Sequence, residues 1–140
     1  MIDLLQCAQD AAFALALPLE QDADLAAVLG APAQVLQHVP ENTQPPIVIV
    51  GDLDTVNDGG KDDQLEQIRV QMQFVYRGPG RAPLLTMMNR ARALIHDQRV
   101  TVEGGLLHFK WVTGSASIAA VDGITYAGLS EFDVFAQPAD

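Results

Sequence analysis

Ile68-Arg69-Val70-Gln71-Met72-Gln73-Phe74-Val75-Tyr76-Arg77 decides the fold. Ile68, Val70, Met72, Phe74 and Tyr76 alternate with Arg69, Gln71, Gln73, Val75 and Arg77. A period of two held over this length predicts a strand with one buried face and one mostly polar face. Such a strand needs an apolar cover, and the next segment supplies one. Arg77-Gly78-Pro79-Gly80-Arg81 predicts a tight turn, and Pro83 suits the first turn of a helix. Leu84, Met87, Met88, Ala91, Leu94 and Ile95 then mark one apolar stripe, which predicts a helix over residues 83–97.

Toward the N-terminus, Ile47-Val48-Ile49-Val50 is a β-branched run and predicts a strand. Between it and residue 68, the polar, glycine-bearing residues 51–63 predict a long loop or a protruding hairpin tip. Residues 41–46 are polar and proline-rich, hence a loop, and residues 34–39 predict a short strand closed by Pro40. A helix is expected over residues 2–17, with Leu4, Leu5, Ala8, Ala12, Leu15 and Ala16 inward and Pro18 as its stop. A second spans residues 23–29, with Asp22 as N-cap and Gly30 as C-terminal stop.

Toward the C-terminus, residues 100–103, 106–113 and 124–135 predict three strands, with turns at Gly104-Gly105 and Val121-Asp122-Gly123. The expected fold class is α+β: a mostly antiparallel β-sheet with helices packed on one face. Residues 1–140 are expected to form one domain, with neither an internal repeat nor a low-complexity tract.

The chain carries 18 acids against 8 bases, a net charge of −10. This argues against a nucleic-acid-binding surface and against an anionic membrane as partner. Residues 1–60 hold nine acids and no base, residues 61–110 hold all eight bases, and residues 111–140 hold four acids and no base. Signs separated in this way suit docking between copies by complementary potentials. The apolar N-terminus is interrupted by Asp3 and Asp10 and has no basic flank, unlike a secretory signal. A soluble protein assembled in the cytoplasm is expected. The single cysteine, Cys7, rules out an internal disulfide. Set among small apolar residues, it is expected to behave as a small hydrophobe rather than as a reactive thiol.

No residue set forms a catalytic, cofactor-binding or metal site. Asp52, Asp54, Asn57, Asp58, Asp62 and Asp63 invite a calcium reading, but both candidate registers place Val56 where an oxygen ligand belongs. His38, His96 and His108 lack a metal-ligand spacing, and His96 falls near a helix C-terminus, where positive charge is favoured. Ser115 and Ser117 lack a nucleophile-elbow context, and residues 77–81 lack the lysine and hydroxyl of a phosphate loop. Phe109, Trp111 and Tyr126 are expected as cross-strand core or interface aromatics. The chain is therefore not expected to be an enzyme.

Several segments together resemble a known family. These are PPIVIVGD at residues 45–52, RAPLLTMMNRARALIHD at 81–97, VTVEGGLLHFKWV at 100–112 and QDADLAAVLGAP at 21–32. The amphipathic strand QIRVQMQFVYR at 67–77 and the helix end at 93–97 fit the same pattern. The family is the small tail-completion, or tail-terminator, proteins of long-tailed bacteriophages and gene transfer agents, and the likeness runs over residues 2–136. The aspartates of residues 51–63 depart from the family pattern.

The resemblance implies a structural virion protein at the head-proximal end of the tail. It would cap the tail tube as a ring, usually a hexamer, ending tube polymerisation and giving the surface that joins the head. The implied partners are further copies of the chain, the major tail tube protein and the head–tail connector protein. DNA would pass through the ring without specific binding, and neither cofactor nor membrane is implied. The competing reading is a small α+β module that binds a partner or ligand without catalysis, which would show an apolar pocket.

Overall fold

The computed structural model describes residues 4–56, 66–102 and 105–138. In chain order the elements are α1 (Leu4–Ala16), a 3₁₀ turn (Leu17–Gln21), α2 (Ala23–Leu29), β1 (Gln34–Leu36), β2 (Ile47–Val56) and β3 (Glu66–Arg77). Then come α3 (Ala82–Ile95), β4 (Arg99–Val102), β5 (Gly105–Ala116) and β6 (Thr125–Pro138). The strands form one sheet in the order β1-β2-β3-β6-β5-β4. β1 and β2 run parallel and the other neighbours antiparallel, so this is an α+β fold with a mixed, mostly antiparallel sheet.

The alternation at residues 68–77 places the sheet. Ile68, Val70, Met72, Phe74 and Tyr76 are all buried. In register they face Val134, Phe132, Ser130, Gly128 and Tyr126 on β6. Leu84, Met87, Met88, Ala91 and Ile95 of α3 cover them, as the 3.6-residue stripe requires, with Leu94 half-buried at the rim. β6 comes close beneath this helix: a β-carbon at Gly128 would collide with the Met88 side chain.

α1 lies on β2 and β3 through Ala8, Ala11, Ala12 and Ala16. These small side chains let the helix approach the sheet closely, which leaves Leu5 exposed rather than inward as the leucine pattern suggested. α1 ends at Ala16, ahead of Pro18 as expected. Pro18 occupies the first turn of the 3₁₀ segment, where its missing N–H costs nothing. α2 is bounded as expected: the Leu25 N–H donates to Asp22 Oδ1 at 3.0 Å, and Gly30 turns at φ 84°.

The main correction concerns residues 51–63. Residues 51–56 are not loop; they continue β2 against β3, with Leu53 opposite Val70 and Thr55 opposite Ile68. A register shift between Val50 and Leu53 sets Leu53, half-buried, opposite the inward Val70 of β3, while Asp52, Asp54 and Thr55 are exposed. Ladder hydrogen bonds to the long β3 override the polar composition that argued for a loop. Residues 57–63, with the rest of the calcium candidates, lie outside the described residues. β1 is shorter than residues 34–39, while β5 and β6 run further than residues 106–113 and 124–135. Glu103 and Gly104, expected at a strand end and a turn, also lie outside the described residues.

Candidate interaction surfaces

The face of the sheet away from the core carries polar and charged side chains together with Ile47, Ile49, Val75 and Leu129. Its middle carries one row of charges across four strands: Asp54 on β2, Arg69 on β3, Asp133 on β6 and Lys110 on β5. The signs alternate along the row. Arg69 Nε lies 3.0 Å from Asp133 Oδ1, and the carboxylates of Asp133, Glu131 and Asp54 favour the charged guanidinium. One step along, Gln71 Nε2 donates to Glu131 Oε2 at 3.2 Å. At the end of the row Lys110 Nζ lies 3.1 Å and His108 Nε2 2.7 Å from Asp97 Oδ1. The hydrogen bond to His108, then Lys110, holds the Asp97 carboxyl down at about 2.

The segregation of charge along the sequence is partly answered within one molecule. Bases of the middle segment meet acids from both ends: Arg69 with Asp133, and Arg90 with Asp22 at 2.8 Å.

The two sheet edges differ. β1 is three residues long, and its Val35 N–H donates to Glu20 Oε2 of the 3₁₀ turn at 2.9 Å. That side chain blunts the β1 edge. At the opposite edge β4 is four residues long, with Arg99 and Thr101 exposed and Val100 and Val102 half-buried.

The third feature is the end of the β5–β6 hairpin. β5 loses its cover after Trp111, and Val112 through Ser115 are exposed. Ile118, Val121 and Ile124 in the connection are exposed, Ile118 to 81%. The turn is ordered by Asp122, whose Oδ1 accepts from the Ile124 and Thr125 N–H groups and whose Oδ2 accepts from the Thr125 hydroxyl. These bonds, the Thr125 hydroxyl foremost, hold the Asp122 carboxyl below the usual aspartate range. Beside the hairpin base, α3 and β5 leave a cleft of about 250 Å³ lined by Leu85, Met88, Arg92, Trp111, Ser115 and Ala116, among others. The Arg92 guanidinium lies 3.8 Å from the centre of the Trp111 ring, a cation–π contact that forms one wall.

The described sequence candidates fall around these surfaces. His38 is exposed beyond β1. His96 sits at the C-terminus of α3 as expected, and its Nδ1 accepts from the Trp111 N–H at 3.0 Å. That bond ties the end of α3 to β5. His108 is bound to Asp97. Among the described residues no group of three or more His, Cys, Asp or Glu is placed to hold a metal. Cys7 packs half-buried against the core. Phe109 is buried, while Trp111 and Tyr126 are half-buried at the core's edge.

Ser117 is structural, its Oγ accepting from the Ala127 N–H at 3.0 Å, and Ser115 lines the cleft. The turn at residues 77–81 joins neighbouring segments: Gly78 N–H donates to the Ile124 carbonyl, and Arg81 to the Ser117 carbonyl. Arg77 reaches Thr125 and Gln44. Among the described residues no helix is long and apolar enough to cross a membrane. The sequence pattern missed the cleft and the exposed turn. The sequence places Val121 only in a turn, and the structure shows that it and Ile118 are exposed.

The profile of the family described as tail completion protein gp17 matches residues 14–136. The chain belongs to that family. It is therefore a structural protein of a phage-type tail. The matched range takes in the cleft, the charge row and the β5–β6 turn. No curated protein matches. Among solved structures, a chain from "Virion of native gene transfer agent (GTA) particle" is similar in fold, with a TM-score of 0.67 at 16% identity. The match covers 87% of this chain and 91% of that one.

Proposed function

We propose that this protein caps the head-proximal end of a tail tube as a ring, ends tube polymerisation and presents the surface that joins the head connector. The observation that carries the reading is the family match over residues 14–136. The geometry supports it. The two sheet edges are unlike, one blunted by Glu20 and one open, as suits a subunit that meets its neighbours through different surfaces. Six copies follow from the family resemblance, with the whole chain acting as one tail-terminator-like domain. The net charge of −10 repels DNA phosphates, which suits a ring that DNA passes through.

Deleting the gene and imaging the particles tests this. Tails of uncontrolled length that fail to join heads are the expected result. Tails of normal length attached to filled heads, in a strain shown to lack the protein, would overturn the proposal.

A further inference from the structure

The cleft beside α3 and the turn between β5 and β6 have complementary chemistry. The cleft is apolar, of about 250 Å³, with one cation, Arg92, on its wall. A cavity of about 150 Å³ holds a benzene molecule, so this one takes one or two aliphatic side chains. The turn offers such side chains. Among the described residues, five of the nine exposed large hydrophobics lie here, Ile118 and Val121 the most exposed of them: Val112, Ile118, Val121 and Ile124 in one hairpin end, and Leu85 on the cleft wall. Residues 112–130 carry a single charge, on Asp122, at the tip of the turn.

The backbone of the turn is set before any partner arrives. Asp122 caps it, Gly123 turns at φ 78°, and Ala120 and Gly123 close it with backbone hydrogen bonds. A preorganised apolar knob loses little entropy on binding. The knob does not fill its own molecule's cleft, since Ile118 and Val121 remain exposed although Ser115 and Ala116 of the same strand form part of the cleft wall.

We propose that the β5–β6 turn of one copy seats Ile118 and Val121 in the α3–β5 cleft of the next, with Asp122 facing Arg92. Knob and cleft are different surfaces of one chain, so the contact is heterologous and repeats from copy to copy until it closes. The apolar fit supplies affinity, and the Asp122–Arg92 pair at its edge supplies orientation. The inference deepens the ring reading by naming the surfaces that meet. It replaces a general attraction between charged segments with one specific joint.

The test uses purified full-length protein and two surface variants, V121K on the knob and L85K at the cleft mouth, each checked for native circular dichroism. Sedimentation follows self-association with concentration. Trp111 lines the cleft and is the chain's one tryptophan, so its emission reports occupancy directly. Wild type is expected to associate with a blue shift, and each variant alone at least roughly tenfold more weakly. An equimolar mixture of the two retains one intact knob and one intact cleft and is expected to stop at a heterodimer. Variants that associate like wild type, or a mixture no better than its components, would overturn the proposal.

Should the wild-type chain associate only on the tail, V121C with S115C in a C7S background is read in assembled particles. A copy-to-copy crosslink supports the joint. Its absence, or a crosslink to a different tail protein, overturns it. Both readouts concern the contact alone, so a failed joint is distinguishable from a failed tail-capping role, which the gene deletion decides.

Discussion

Arg69 and Asp133 stand opposite each other on β3 and β6, with Nε 3.0 Å from Oδ1. One belongs to the basic middle of the sequence and the other to its acidic C-terminal segment, 64 residues away. The pair lies at the centre of a row that runs from Asp54 to Lys110, so its role is to fix strand register as much as to add stability. Its contribution is bounded by exposure, since about a third of the Arg69 side chain meets solvent. A double-mutant cycle on R69M and D133N, followed by urea unfolding, is expected to give a coupling of about 0.2–1 kcal/mol, falling with added salt. A coupling well above that range would mean that the row is desolvated by contacts the isolated subunit does not make.

Phe74 is fully buried, opposite Val48 on β2 and Gly128 on β6. F74A leaves a cavity beneath the helices and is expected to cost about 3–5 kcal/mol in denaturant unfolding, with the slope unchanged. A loss below about 1 kcal/mol would mean that the face of β3 assigned to the core is solvated.

The contrast between these two residues shows what the sequence could reveal. Phe74 was legible as core because its neighbours at even spacing are apolar, and α3 was legible because its stripe follows at once. Local chemistry also placed α2, since an aspartate cap and a left-handed glycine need only a few residues to act. Pairing between strands was not legible. Asp52 and Asp54 read as loop because their own composition is polar, whereas β3 dictates their conformation from across the sheet. The same holds for the interaction surfaces. Trp111 was placed on a strand, but its contact with Arg92 and the cleft beside it depend on how α3 crosses β5. The exposure of Ile118 and Val121 depends on where β6 begins.

Asp97 follows α3 at φ 64°, with its carboxylate held by His108 and Lys110. Its carboxyl lies at about 2, below the roughly 3.9 of an unperturbed aspartate. A lowered folded-state value means that the stabilisation is complete above that ordinary range and is lost as pH falls toward 2. Carbon-detected NMR titration of the side chain is expected to give a midpoint near 2 in the wild type. H108F, which removes the larger hydrogen bond, is expected to move it upward, and K110M to move it less. An unchanged midpoint in both variants would show that the contacts do not persist in solution.

Asp22 joins two roles that substitution can separate. Its Oδ1 accepts the Leu25 N–H at 3.0 Å and so caps α2, while its Oδ2 lies 2.8 Å from Arg90 on α3. One side chain therefore starts one helix and ties it to another. D22N keeps an oxygen for the cap and removes the charge, and asparagine caps as well as aspartate. The pair it loses is partly exposed on the Arg90 side, so the expected cost is below about 1 kcal/mol. D22A loses the cap as well, leaves the Leu25 N–H without its acceptor, and is expected to cost about 1 kcal/mol more than D22N. R90M is expected to match D22N in the wild-type background and to have no further effect in the D22N background, because both remove the same pair. If D22N proves as damaging as D22A, the ion pair to α3 rather than the cap anchors α2. Hydrogen exchange at Leu25 decides between them: its N–H is expected to stay protected in D22N and to open in D22A.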